Sequence, residues 1–367
     1  MHIALFRSNN IFDSRVNKYV NYYRRAGLSY TIVGWDRANE GVERERYDFY
    51  RYAAGVAVGG FQAIKNHCHW MSFIYRYLKS HREITTVHAC DLNSAFPAAC
   101  FKKLVNPDLT LIFDACDWYS AHFAGNKWLR FLFEKMEKFA YKWSDELIIC
   151  EPERKAQVTF PLLKEPLVMP NIPEIDESEL SGNDERYAFS NGWPVLAYFG
   201  GLVDDRFLAE LIECAKTEPF NLLIGGYGSA HILGKLKEIE ALPNVRFFGR
   251  MSMKDGLEMS KCADAIYAMY CKTNSNHIYA APNKYYEAML LGKPLITTKG
   301  TILEDKVVRN DTGYAIEESV DELKALIRSL DREDMQKKGD HAYRLWEDRY
   351  KDYIHSFFDH EYSRVIK

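Results

Sequence analysis

The chain has 367 residues, 47% apolar and 27% charged, which fits two domains at about 150 residues each and excludes disordered, collagen-like and low-complexity classes. No run of about 18 apolar residues occurs, so a spanning helix is excluded, and the apolar stretch 2–6 stops at Arg7-Ser8-Asn9-Asn10, too short for a signal peptide. The net charge of −3 divides into +5 over residues 1–170 and −8 over the remainder; the basic, aromatic-rich first half suits a phosphate-bearing ligand or an anionic surface but is too weakly charged to point to nucleic acid.

In chain order, residues 2–6, Tyr30–Gly34, Ile84–His88, Leu109–Phe113 and Glu146–Cys150 read as strands. Amphipathic stretches separate them, the clearest over 127–143, where Trp128, Leu132, Met136, Phe139 and Trp143 recur at helical spacing. Alternation of this kind predicts a parallel sheet wrapped by helices. Residues 169–193, rich in Pro, Asn, Ser, Gly and acid, read as a linker. The alternation then restarts with Val195–Phe199, Asn221–Gly225, Asn244–Phe248, Asp264–Ala268 and Leu295–Thr298. The expected organisation is an α/β chain of two Rossmann-like domains, 1–168 and 194–345, with a helix over 346–367 that returns to the first. Two such domains present their loops to one crevice, where ligands of open α/β sheets bind. The eight cysteines (68, 90, 100, 116, 150, 214, 262, 271) include no CxxC pair, so they read as buried apolar residues rather than as disulfides or a zinc site.

The most informative segment is Pro282-Asn-Lys-Tyr-Tyr-Glu-Ala-Met-Leu-Leu-Gly-Lys-Pro-Leu-Ile296. Pro282 opens a helix whose first amides suit a phosphate; Lys284 adds a cation, and Glu287, three residues on, can accept bonds from a ribose diol. Taken alone, Lys284 and Glu287 equally describe a surface ion pair.

This run resembles the donor-site motif of GT-B glycosyltransferases, in particular family four. Other segments resemble the same family in the same order: Asp13-Ser-Arg-Val16, His88-Ala-Cys-Asp-Leu92, Phe113-Asp-Ala-Cys-Asp117, Phe199-Gly-Gly-Leu202, Asn221–Gly228, Asn244–Gly249 and Cys262-Ala-Asp264. The resemblance implies a metal-independent transferase of GT-B architecture that moves a sugar from a nucleotide donor, UDP favoured, to a glycan or lipid-linked acceptor in bacterial surface polysaccharide synthesis. It places Glu287 on the ribose, Arg206 near the diphosphate, and Asn283, Lys284, Gly200, Gly201, Gly226 and the unassigned cation Arg250 around the donor. No cofactor is expected beyond the donor itself, and no D-x-D metal motif ends a strand of the second domain. A GT-B 2-epimerase and a catalytically silent homologue acting as a binding partner are the alternatives.

Three departures from the family stand out. Tyr279 occupies the place of the first of two glutamates spaced eight apart, Gly201 stands where relatives often carry Arg, and Cys116 falls near the family's active-site histidine. A thiol does not replace an imidazole as base. Asp117 is therefore the candidate base, with Asp114 and His88 as further catalytic candidates. As alternatives, Asp117 and Asp91 cap helices, and His88 is a strand-end histidine. Ser275, Asn276 and His277 offer hydrogen bonds to a sugar, Arg7, Ser8 and Asn9 end the first strand near the cleft, and Asp13 and Arg15 read as a local turn pair. Residues 65–82 mix Trp, Phe and Tyr with Lys and Arg, as interfacial helices do, so a cytoplasmic protein touching the membrane through that segment is expected.

Overall fold

A computed structural model describes residues 1–8, 14–37, 41, 43–53, 60–123 and 125–366; Asn9 and Asp13, both named above, lie outside them. The chain forms two units, Met1–Pro170 with Ile354–Lys367, and Asn171–Tyr353.

The first unit runs β1 (Ile3–Arg7), α1 (Ser14–Arg25), β2 (Tyr30–Trp35), β3 (Tyr47–Tyr50), α2 (Gly60–Ser80), β4 (Thr86–Cys90), α3 (Leu92–Leu104), β5 (Thr110–Ala115), α4 (Lys127–Trp143), β6 (Glu146–Ile149) and β7 (Leu167–Val168). Its parallel sheet has the order β3-β2-β1-β4-β5-β6-β7. The central strands IALFR and TVHAC are buried along their whole length, as continuous apolar strands covered on both faces must be. Residues 354–366 belong to this unit: the ring of Phe358, in the wide π turn Phe357–Tyr362, stacks on Tyr22 of α1 at 4.7 Å.

The second unit runs β8 (Val195–Leu202), α5 (Leu208–Cys214), β9 (Asn221–Gly228), α6 (Ala230–Ile239), β10 (Val245–Phe247), α7 (Met253–Lys261), β11 (Ala265–Tyr267), α8 (Asn283–Leu290), β12 (Leu295–Thr298), α9 (Ile302–Arg309), β13 (Gly313–Ile316), α10 (Val320–Ser329) and α11 (Arg332–Arg349). Its parallel sheet has the order β10-β9-β8-β11-β12-β13. Ser252, Thr301, Ser319 and Asp331 cap α7, α9, α10 and α11 through side-chain oxygens, accepting amides that a helix start leaves unpaired, one each for the first three and two for Asp331.

Two boundaries differ from expectation. Much of the segment read as a linker packs on the second unit: Glu258 of α7 accepts the backbone N–H groups of Ser181 and Gly182, each at 2.8 Å, and Tyr187 is buried beside Phe248. Its Pro and Ser content reflects short turns rather than a free tether. The return segment begins at Ile354 and not at 346, because α11 continues to Arg349 with Trp346 buried.

Gly226 is required by the β8–β9 ladder. It pairs with Gly200 at φ +151°, and a Cβ there would stand 1.9 Å from the Gly200 carbonyl oxygen. Gly226→Ala is expected to cost about 3 kcal/mol, read as a lowered thermal midpoint. Gly201→Ala, where a Cβ meets nothing within 4 Å, should stay within about 0.5 kcal/mol of the parent; equal melting of the two variants would refute the assignment.

Candidate active site

In an open parallel sheet, ligands bind beyond the carboxyl ends of the strands where the order reverses, which in the second unit is between β8 and β11. Three pieces of sequence meet there. The strand β8 ends in Gly200-Gly201-Leu202, with the Tyr198 hydroxyl donating to the Gly201 carbonyl at 2.5 Å. A turn at Asp204–Arg206 follows. Behind β11, Tyr270 and the turn Ser275–Tyr279 lead into α8.

Arg206 is oriented on several sides. Its Nη1 donates to Asp205 Oδ1 at 2.8 Å and to His277 Nε2 at 2.8 Å, and its guanidinium lies 4.5 Å from the Tyr270 ring centroid. His277 Nδ1 contacts the Cys271 carbonyl at 2.9 Å; that nitrogen must carry the proton, which leaves Nε2 as the acceptor for Arg206. His277 is thus a clamp on the guanidinium rather than a free polar loop residue. Nothing in its sequence spacing to Arg206, 71 positions away, signals this.

At the start of α8, Lys284 and Glu287 form a buried ion pair with the Lys284 Nζ 4.9 Å from the Phe199 ring centroid. Pro282 occupies the cap position and makes no side-chain cap bond; Asn283 is the first helical residue. Burial drives the Tyr270 hydroxyl's pKa well up and that of Tyr198 to about 12, so both stay neutral donors. Arg250 lies over the exposed Tyr227 ring at 4.9 Å, next to the Gly226-Tyr227-Gly228 strand end. The adjacent acids point apart: Asp204 accepts from Ser229 and His231, whereas Asp205 holds Arg206.

In the first unit the order reverses between β1 and β4. At their ends Arg7 Nη1 donates to Asp91 Oδ2 at 2.5 Å and to Cys116 Sγ at 3.4 Å, and Asn93 Nδ2 donates to Ser8 Oγ at 2.8 Å. Asp91 precedes α3 but makes no side-chain cap bond, and it sits at φ 63° and ψ 165°, a conformation rare outside glycine that marks functional sites when it persists. His67 contacts Asn93 at 3.0 Å; burial, then the charge of Arg37, lowers its pKa to about 4.

The three catalytic candidates separate. Asp117 keeps a carboxylate 48% exposed and paired with the buried Arg154 at 2.9 Å. Asp114 and His88 are fully buried, away from any ligand in solvent. Asp114 accepts both Nε (2.8 Å) and Nη2 (2.6 Å) of Arg15, the Tyr19 hydroxyl at 3.2 Å and His88 Nε2 at 3.3 Å. The carboxylate at one end orders the protons along the chain: His88 Nε2 donates to Asp114, Tyr362 donates to His88 Nδ1 at 2.8 Å, and Tyr23 donates to Tyr362 at 2.6 Å. Arg15 is thus held by Asp114, the turn pair expected with Asp13 falls outside the described residues, and Asp114 and His88 bolt α1 and the C-terminal segment to the sheet. Cys90 brings a third potential metal ligand within 4.8 Å of His88 and Asp114, but that carboxylate already carries a guanidinium.

Residues 183–343 match the family model of glycosyl transferases group 1. The second unit is a group 1 glycosyl transferase domain. No curated protein sequence matches the chain significantly, whereas solved structures do. Sucrose-phosphate synthase from Thermosynechococcus elongatus superposes with a TM-score of 0.74 at 14% identity, covering 100% of this chain and 99% of that one. HepE of Anabaena, in complex with UDP and glucose, gives 0.69 at 11% identity over 99% and 100%. WaaG, a glycosyltransferase involved in lipopolysaccharide biosynthesis, gives 0.65 at 13% over 95% and 96%.

The chain has the GT-B fold. Within the glycosyl transferase domain the structure brings Arg206, Lys284, Asn283 and Glu287 to the strand ends where Gly200, Gly201 and Gly226 lie. Two of the departures acquire neighbours: Tyr279 closes the turn that carries the Arg206 clamp, and the Cys116 thiol faces Arg7 while its carbonyl lies 3.5 Å from Cys150 Sγ.

Proposed function

We propose that the protein transfers a sugar from a UDP-sugar to a glycan or lipid-linked acceptor in surface polysaccharide synthesis, without a metal. The observation that carries this reading is the pairing of a clamped Arg206 with the Lys284–Glu287 ion pair at the β8–β11 reversal of a group 1 domain. Arg206, the Lys284 ammonium and the first amides of α8 supply the positive charge that a departing diphosphate needs, and Glu287 is the carboxylate for the ribose diol. The complex of HepE with UDP favours uridine, and the involvement of WaaG in lipopolysaccharide biosynthesis favours a surface glycan acceptor. In the first unit Asp117, the candidate whose carboxylate reaches solvent, serves as the base for the acceptor hydroxyl. The site of action is the cytoplasm.

Thermal shift with UDP, GDP, ADP, CMP and their sugar conjugates tests the donor site. A nucleotide at about 100 times its Kd stabilises the fold by about 2.7 kcal/mol, so UDP and a UDP-sugar should each raise the midpoint by a few degrees. A response to GDP or ADP alone would overturn the uridine assignment, and sugar conversion without an acceptor would overturn transfer in favour of epimerisation.

A further inference from the structure

The apolar residues of α4 do not all face the core. Met136, Phe139 and Trp143 pack against the first sheet's core cluster, as does Phe133, which stacks on Phe123 at 4.6 Å. The first two turns present a second stripe outward: Trp128 is 84% exposed, Phe131 54% and Leu132 52%. With Lys135 they stand at i, i+3, i+4 and i+7, one face of the helix. Asn126 fixes the start of that face by accepting the Leu129 N–H at 3.2 Å.

Cations surround the stripe. Residues 127–143 carry five Lys or Arg against two Glu. One of those acids, Glu137, is buried and accepts the Ser120 N–H at 3.0 Å, and the other, Glu134, pairs with Arg130. Lys127, Arg130, Lys135 and Lys138 are all exposed, and the Lys135 ammonium lies 5.0 Å from the Phe131 ring centroid.

We propose that the N-terminal half of α4 is a docking face for an anionic phospholipid bilayer, with Trp128, Phe131 and Leu132 entering the headgroup boundary and Lys127, Arg130 and Lys135 meeting lipid phosphates. A bare tryptophan-centred stripe rimmed by cations is the pattern of helices that lie in the interface plane. A second copy of the chain fits less well, because a two-fold contact opposes each patch to itself and sets Lys127, Arg130 and Lys135 against their own copies. Among the described residues no helix is long and apolar enough to cross a membrane, so the contact is peripheral. The segment expected to make it, 65–82, is turned the other way: Trp70, Ile74, Tyr77 and Leu78 are buried in the core, with Trp70 stacked on Trp35 at 5.8 Å. This inference does not depend on the transfer reaction.

Flotation of the full chain with phosphatidylcholine vesicles, with and without phosphatidylglycerol, tests it. The protein should float with the anionic vesicles and not with the neutral ones, and binding should fall as salt rises. Trp128→Ser/Phe131→Ser/Leu132→Ser should abolish flotation, and Lys127→Glu/Arg130→Glu/Lys135→Glu should weaken it by at least about fivefold for each cation removed. Both variants change exposed residues, and an unaltered melting curve confirms their fold. Absence of flotation, equal flotation with both vesicle types, or a dimer in solution that the serine variant dissociates would each overturn the proposal.

Discussion

Asp114→Asn is expected to lose about 3–5 kcal/mol of stability, because it leaves the buried Arg15 guanidinium without its counter-charge. The cost is large for a reason of geometry. Arg15 is buried and fork-bonded to both oxygens of Asp114, and its remaining Nη1 donates to the Met169 carbonyl at 2.7 Å, so no water can replace the lost charge. In a thermal melt the loss is roughly 10 °C in the transition of the first unit. Arg15→Met should cost a similar amount. The double variant Arg15→Met/Asp114→Leu should melt above either single one, since removing both charges removes the uncompensated burial. The pH dependence has a defined sign. Arg15 and His88 hold the Asp114 carboxyl well below the usual carboxylate range despite its burial, so the unfolded chain binds a proton below about pH 4 that the folded chain refuses. This part of the stability is complete above about pH 4 and is lost as the pH falls further. Burial also lowers the pKa of His88, so protonation of the unfolded histidine begins to erode stability below about pH 6.5. Asp114→Asn should remove the first component and leave the second. An Asp114→Asn protein that melts like the parent but has lost turnover would place Asp114 in the reaction rather than in the frame.

Arg206→Met is expected to lower kcat/KM for a UDP-sugar by roughly 10²-fold or more, the scale of removing one preorganised group from a developing negative charge. Because the charge on the leaving diphosphate grows toward the transition state, the loss should fall mainly on kcat. Arg206→Lys should recover little, since an ammonium cannot reproduce the planar contacts with Asp205, His277 and the Tyr270 ring. His277→Ala should act in the same direction but less strongly, as the guanidinium keeps Asp205. Glu287→Gln separates the second contact: it keeps the shape of the side chain and should raise the Kd for UDP by roughly tenfold, and because it leaves the buried Lys284 ammonium without its counter-charge it should also lower the melting temperature of the free protein. Steady-state kinetics and titration with UDP check both. An Arg206→Met enzyme with parental kcat/KM would move the diphosphate away from the β8–β11 reversal.

Some of this was legible in the chain itself. Apolar runs such as Ile3–Phe6, Asn221–Gly225 and Leu295–Thr298 alternate with helical periods, and such a pattern can be buried only as two parallel sheets wrapped by helices. The strands it missed, β3 (Tyr47–Tyr50), β7 (Leu167–Val168) and β13 (Gly313–Ile316), lie at sheet edges, where part of each strand stays half-buried or exposed and no continuous apolar run is required. The start of α8 was legible because one local run, Pro282–Ile296, holds a turn, a helix start, Lys284 and Glu287 together.

Tertiary structure decided what depends on direction and on distant partners. Periodicity shows which residues share a helix face, not where that face points: the stripe over 127–143 splits between core and solvent, and the aromatic face of 65–82 turns inward because Trp35 of β2 receives Trp70. Side-chain chemistry likewise names a charge but not its partner. Asp114 reads as a base until Arg15, 99 positions away, is seen to neutralise it, and His277 reads as a sugar contact until it is found holding Arg206. Composition, alternation and local motifs thus determined the fold class and the grouping of Lys284 with Glu287 at one helix start, while the fate of each buried charge and the outward face of each helix were settled by which segments the sheets bring together, since desolvation and ion pairing act only between groups that packing has made neighbours.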